Sequence, residues 1–238
     1  MRMRQVWLGM LLMLSALSGA QAQSELPGEI RLASEIWEAY TEADGTGLGW
    51  DVMREVFEPA GVRLDIHSVP YTRSVGLVQR GEADAWVGSY RDEVEGPVFY
   101  PKHHYDRDQI VALGLKDKPV PTLDSLGKYR LVWVRGYGYE EYLPNVHDYR
   151  EVQRRDGILG MLELGHADFY IDARPEVDYI MGRAAKPQQY RVTNLTQLPL
   201  YLGFANTPRG LDQRMAQPIA SGELRPIFER WQQPYPFD

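Results

Sequence analysis

An eleven-residue phrase recurs in this chain at an offset of 84 positions. Leu77-Val78-Gln79-Arg80-Gly81-Glu82-Ala83-Asp84-Ala85-Trp86-Val87 is echoed by Met161-Leu162-Glu163-Leu164-Gly165-His166-Ala167-Asp168-Phe169-Tyr170-Ile171. Each copy reads as an amphipathic helix, a glycine suited to the left-handed stop at a helix C-terminus, and a short apolar strand. An early strand, a helix and a second strand precede each copy. A chain written this way folds as two similar α/β units, and two lobes of one design leave a cleft between them where function is expected.

The first unit reads as strand, helix, strand, helix, strand, the order of a largely parallel sheet covered by helices. Ile30 to Ser34 is its first strand, followed by a loop with Trp37, Tyr40 and the glycines Gly45, Gly47 and Gly49. Leu48, Val52 and Val56 form one helical stripe whose start Asp51 favours electrostatically, and Pro59 and Gly61 stop it. Val62 to Ile66 alternates as a strand, Thr72 is placed to cap the next helix, and Ala85 to Gly88 is the third strand. An apolar run from Ile110 to Leu115 and a proline-containing connector from Asp117 to Thr122 follow.

The pattern then restarts. Arg130 to Val134 is a strand, Gly136 to Tyr139 a loop, Glu140 to Leu143 a short helix and Asp148 to Val152 a strand. Asp156 is placed to cap a helix reaching Leu164, Phe169 to Ile171 is the matching strand, and Val177 to Met181 a further helix. Tyr201 to Ala205 reads as the return to the first lobe, and Leu211 to Ala220 and Glu223 to Trp231 finish as helices. The expected layout is a signal peptide at 1–22, lobe one at 26–109 and 204–238, lobe two at 116–198, and hinge crossings at 110–115 and 199–203.

The N-terminus predicts the compartment. Arg2 and Arg4 precede an apolar stretch from Val6 to Leu17, and Ala20-Gln21-Ala22 supplies the small-x-small pattern of a secretory cleavage site. That stretch is short for a membrane span. The chain has no cysteine, so it holds no disulfide and offers no residue for a lipid anchor after the signal peptide. A free periplasmic protein is expected, with no membrane anchor in its mature form and acting as a monomer. Removal of residues 1–22 leaves 24 basic against 33 acidic residues, a formal charge of −9. Such a surface repels phosphate backbones and argues against a nucleic-acid partner.

With these pieces in order, the chain resembles the periplasmic solute-binding proteins of bacterial family 3, in a short branch of that family. The matching residues are Trp37, Tyr40-Thr41, Gly47-Leu48-Gly49-Trp50-Asp51-Val52, Val69-Pro70-Tyr71-Thr72-Arg73 and Val78 to Ala85 in lobe one. In lobe two they are Gly136 to Leu143 and Gly165 to Asp172. The resemblance spans nearly all of the mature chain. It implies a type II periplasmic-binding-protein fold, two α/β lobes with mostly parallel sheets that close on a small solute. A ligand touching both lobes only when they close shifts the open–closed population by that difference in contact. It further implies capture of an amino acid, related zwitterion or organic acid for an ABC permease, or for a membrane sensor.

In amino-acid-binding members an arginine after the third strand of lobe one grips the ligand carboxylate, and an aspartate ending the corresponding strand of lobe two takes the ammonium. Asp172 occupies the aspartate position, against the alternative of a helix cap. The arginine position falls on Glu95, so Arg91 and Arg73 are the competing candidates, each with an alternative as a surface or packing arginine. Trp37, Tyr40, Tyr71 and Tyr90 from lobe one and Tyr137 and Tyr139 from lobe two are the candidate wall, with core packing as the alternative for each. Gly136 and Gly138 would allow a close backbone approach, with amides able to bind an anion.

No enzyme signature stands out. The histidines His67, His103, His104, His147 and His166 lack the helical spacing of a zinc site, and there is no nucleophile elbow or phosphate loop. No cofactor is expected. The rival from another class is a cyclohexadienyl-dehydratase-like enzyme on the same fold, for which the sequence offers no identifiable acid.

Overall fold

Trp50, Val52, Met53, Val56 and Phe57 are buried on one side of helix α1 (Leu48–Phe57), the stripe its spacing predicts, and this side closes over the first part of a nine-stranded sheet. These features come from a computed structural model describing residues 26–205 and 210–238; the signal peptide expected at 1–22 lies outside the described residues. Strand β1 (Glu29–Ser34) pairs in parallel with β2 (Arg63–Ser68) and β3 (Ala85–Ser89), with helix α2 (Tyr71–Gln79) between the latter two. A two-residue strand, β4 (Val98–Phe99), is added at one side. The second unit repeats the scheme. Strand β6 (Leu131–Val134) lies parallel to β7 (Tyr149–Val152) and β8 (Phe169–Ala173), with the short helices α3 (Tyr139–Tyr142) and α4 (Ile158–Glu163) between them. Helix α5 (Arg174–Gly182) follows, and α6 (Ala216–Ser221) and α7 (Arg225–Arg230) come after the last strand. Among the described residues no helix is long and apolar enough to cross a membrane.

Two antiparallel strands join the units, so the sheet is mixed where the sequence suggests a largely parallel one. β5 (Asp106–Leu115) pairs with β8 and, along its whole length, with the sixteen-residue β9 (Tyr190–Ala205). The last residues of β9, Tyr201 to Phe204, pair instead with β3. The strand order is therefore β2-β1-β3-β9-β5-β8-β6-β7, with β9 serving both halves.

The recurrent phrase has a physical reason. Gly81 and Gly165 both adopt left-handed backbone, at φ 73° and 69°, and end α2 and α4. The aspartate three residues on then clamps an arginine opening the first strand of its own unit. Arg31 donates to Asp84 through its amide at 2.8 Å and its guanidinium at 2.8 and 3.1 Å. Arg130 repeats this on Asp168, at 3.0 Å from the amide and 3.1 Å from the guanidinium. Burial would raise the Asp168 carboxyl, but hydrogen bonds from Arg130 and Lys118 outweigh it and hold the carboxyl well below the usual range.

Several local expectations are corrected. Thr72 lies inside α2, which begins at Tyr71; the Tyr71 amide donates to Glu35 Oε2 at 3.3 Å. Asp156 makes no cap, since α4 begins after Gly157. Leu211 to Ala220 is a 3-10 turn (Leu211–Met215) continuing into α6.

Candidate functional site

The ends of β1, β3, β6 and β8 converge on a cavity of about 640 Å³ between the two halves. In open α/β sheets ligands bind beyond such strand ends, where the connecting loops diverge. Trp37, Tyr40, Tyr71, Tyr90, Tyr137, Tyr139 and Asp172 all line this cavity. Trp37 lies over Gly88, whose left-handed φ of 84° and missing side chain leave the space; a Cβ there would sit 2.5 Å from the indole ring.

The two candidate arginines are elsewhere. Arg73 is exposed on α2. Arg91 donates to the carbonyl oxygens of Pro101 at 2.6 Å and Lys102 at 3.3 Å, and its guanidinium lies 4.4 Å from the centre of the Tyr201 ring. The anion seat expected before α3 is filled from within, because the Gly136 amide donates to Glu151 Oε1 at 2.9 Å.

Asp172 is only 1 % exposed, and its carboxylate is already satisfied. It accepts from the Ala173 amide at 2.8 Å, from Tyr139 at 3.4 Å and from the Tyr170 hydroxyl. It also accepts from Arg155 Nε at 3.0 Å. Arg155, which sequence reasoning missed, lies in the loop between β7 and α4. It also pairs with Glu176 at 3.2 Å and donates to the Tyr137 hydroxyl at 2.5 Å. Its Nη1 reaches across to Glu35 Oε1, from the end of β1, at 3.2 Å. Burial alone would make the guanidinium easier to deprotonate; Asp172, Tyr137, Tyr170 and Glu176 outweigh it and hold the charge firmly. Burial pushes the Glu176 carboxyl above its usual range.

Other contacts cross the same gap. Trp37 Nε1 donates to the Tyr137 hydroxyl at 2.9 Å, and the rings of Tyr71 and Tyr137 meet edge to face at 5.5 Å. Tyr142 donates to the Arg91 carbonyl at 3.0 Å. A Cβ on Gly136, whose φ is 86°, would lie 2.5 Å from Thr72 Cγ2, so the Gly136 backbone packs tightly against the Thr72 side chain. The cleft is closed, and side chains of both halves zip it.

Three more carboxyl groups absent from the sequence expectation face the cavity. Asp106 accepts from the Tyr40 hydroxyl at 2.9 Å, Asp108 from Tyr90 at 2.9 Å and Glu93 from Tyr71 at 2.7 Å. Burial pushes each up to about 7, and Asp108 is raised further by its neighbour Asp106. Asp106 and Asp108 are alternate residues of one strand and so share a face, a period-two signal that the sequence carries. The C-terminal segment, with Trp231 and Tyr235, adds another part of the wall. Among the described residues no group of three or more histidines or carboxylates is arranged to hold a metal ion.

No protein-family model matches the chain, and no curated protein matches it in sequence. Solved structures match its fold. The substrate-binding protein of an amino acid ABC transporter superposes with a TM-score of 0.65 at 15 % identity, over 85 % of this chain and 98 % of that one. A histidine kinase sensor domain with similarity to periplasmic binding proteins gives 0.68 at 14 % identity, over 85 % and 95 %. The ancestral amino acid-binding protein AncCDT-1, a precursor of cyclohexadienyl dehydratase, gives 0.63 at 16 % identity, over 86 % and 94 %. The likeness is one of fold: this chain has the two-lobed architecture of the periplasmic binding proteins that its sequence resembles.

Proposed function

We propose that the chain is an exported, non-enzymatic solute-binding clamp that captures a small organic molecule between its lobes. One observation carries this reading: residues from both halves, far apart in sequence, converge on one cavity whose walls combine aromatic rings with carboxyl groups held in place by hydrogen bonds. Such a cavity is the usual form of a small-molecule site. Release to an ABC permease or report to a membrane sensor both suit a two-state clamp, and transport is the reading adopted here, with the periplasm as its compartment. The lobes would move about the stretch where β9 leaves β5 for β3. A screen of the purified protein by thermal shift against amino acids, amines, organic acids and short peptides tests the reading. A ligand binding only the native state adds about 2.7 kcal/mol at a hundredfold excess over Kd, which is a readily visible shift. No shift with any class would reject the clamp.

A second reading has one observation in its favour. Carboxyl groups held near neutral pH inside a cleft suit acid–base chemistry, as in a dehydratase. Eight acidic residues against two basic ones line this cavity, however, which opposes entry of an anionic acid such as prephenate. Formation of phenylpyruvate from prephenate by the protein would replace the binder reading with the enzymatic one.

A further inference from the structure

We propose that the ligand of this cleft is a small organic amine without a carboxylate, held as a cation between the tyrosine-backed carboxylates of Asp106, Asp108 and Glu93. The inference rests on the clamp reading and names the ligand class of that same site.

The argument begins with what a zwitterionic amino acid would need. Its carboxylate needs a donor cluster, and among the described residues none converges on this cavity. Arg91 is committed to the Pro101 and Lys102 carbonyls, Arg73 is exposed outside, and the Gly136 amide holds Glu151. The two arginines that do line the cavity are exposed, and each spends its Nε within the chain. Arg174 Nε donates to both oxygens of Asp178 at 2.9 Å, and Arg107, itself exposed, donates to His104 at 3.3 Å. The ammonium of an amino acid would need Asp172, whose cationic partner is Arg155 of this chain.

What is left over is negative. Among the described residues no cation pairs with Asp106, Asp108 or Glu93, although Asp106 is only 8 % exposed. Buried carboxylates are ordinarily matched by a cation, and leaving several unmatched in one cavity is costly unless something supplies the charge. Tyr40 and the Arg107 amide orient Asp106, Tyr90 orients Asp108 through Oδ2, and Tyr71, Ser89 and the Tyr90 amide all hold Oε2 of Glu93. This leaves Asp108 Oδ1 and Glu93 Oε1 with acceptor capacity for an incoming ammonium. The rings of Trp37, Tyr40, Tyr71 and Tyr90 surround the space, and aromatic faces attract cations while repelling anions. At the other end of the cleft the protein shows the same chemistry on itself, with the Arg155 guanidinium 5.5 Å from the Tyr137 ring centre and flanked by carboxylates. Burial raises the Asp106 and Asp108 carboxyls, so binding a cation beside them would shift them to their charged form and release protons.

Calorimetric titration and thermal shift of the full protein with putrescine, spermidine, L-glutamate, L-arginine and choline test this. The amines are expected to bind with a Kd in the micromolar range, and to bind at least tenfold more weakly at pH 6 than at pH 8. Asp106→Asn and Asp108→Asn are each expected to weaken the amine by at least tenfold while keeping a cooperative melt. If either variant fails to fold, the wild-type pH dependence and proton release, read in buffers of different ionisation heat, decide alone. Binding of L-glutamate or L-arginine with the amines silent would overturn the amine assignment and leave the clamp standing. Tight binding of choline alone would also overturn it, because a quaternary group donates no hydrogen bonds to the carboxylates. Silence from all five, together with a silent wider screen, would remove the clamp reading itself.

Discussion

Replacing Arg155 by methionine should destabilise the protein more than any other single change in the cleft. The side chain is 14 % exposed, and its guanidinium serves Asp172, Glu176, Glu35 and the Tyr137 hydroxyl at once. Methionine keeps much of the volume and removes the charge, which leaves Asp172 and Glu176 buried without a cation. Breaking a buried ion pair from one side costs about 3–5 kcal/mol. For a chain of this size a loss of 1 kcal/mol lowers Tm by about 2–4 °C, so a drop of about 6–20 °C is expected in a circular-dichroism melt at pH 8. The sign of the pH effect follows from which state holds the protons. Orphaned carboxyls in the folded variant have raised pKa values, so they take up protons more readily than in the unfolded chain. The variant therefore loses stability as pH rises from about 4 through those raised values. Its deficit relative to the native protein should be largest at pH 8 and smaller at pH 5. The double variant Arg155→Met/Asp172→Asn should melt above the single variant, since one uncompensated charge has gone. A drop below about 2 °C at pH 8, or a deficit equal at both pH values, would refute the account of Arg155 as the counter-charge of the cleft.

Two further predictions concern the cavity and its closure. The unliganded protein should melt at a lower temperature at pH 8 than at pH 5, because Glu93, Asp106 and Asp108 titrate at about 7 when folded and near 4 when unfolded. Folding thus binds protons across that window, and stability falls as pH rises through it. The groups facing them are Tyr40, Tyr71, Tyr90 and Tyr139, with Asp172 and Glu176 across the gap; His104, lowered by burial, works in the opposite direction. Asp108→Asn should flatten the profile, and a profile identical to the native one would remove that carboxyl from the account. Gly136→Ala should cost about 1 kcal/mol for a side chain in left-handed backbone and also hold the halves apart at Thr72. A larger radius of gyration by X-ray scattering is expected, and an unchanged one would show that this approach does not limit closure.

The aromatic wall was legible because it follows a topological rule. Trp37 and Tyr40 follow β1, Tyr90 follows β3, and Tyr137 and Tyr139 follow β6, all at the strand ends where open sheets gather their loops. The place of Asp172 near the end of β8 follows from the same rule, but its bond to Arg155 does not. Arg155 lies 17 residues before Asp172 and 120 residues after Glu35, in a loop without a motif, so only the folded chain brings the three together. Arg91 misled because spacing from Gly88 says nothing of direction. Asp92 takes a left-handed φ of 63° immediately after it, and the Arg91 side chain runs toward Pro101. The first half of β9 escaped notice for a geometric reason. Ile110 pairs with Thr196 and Val111 with Asn194, so Leu195 is an extra residue that breaks the alternation on which a strand is recognised. Asp106 and Asp108 did alternate, but charged residues before an apolar run read as a loop until the partner strand is in view.

β9 has one more consequence. Because it runs from its pairing with β5 to its pairing with β3, one connection between the halves is ribbon, while the other, residues 100–105 between β4 and β5, is not in a strand. Parting them must twist a hydrogen-bonded strand, so the joint behaves as a torsion spring with its own rest angle. Pro199 lies at the changeover, opposite Arg107, with its φ fixed and no amide to offer the ladder. It stiffens one link of the spring and passes the twist to its neighbours. Such a spring would resist wide parting of the halves and favour one rest angle between them.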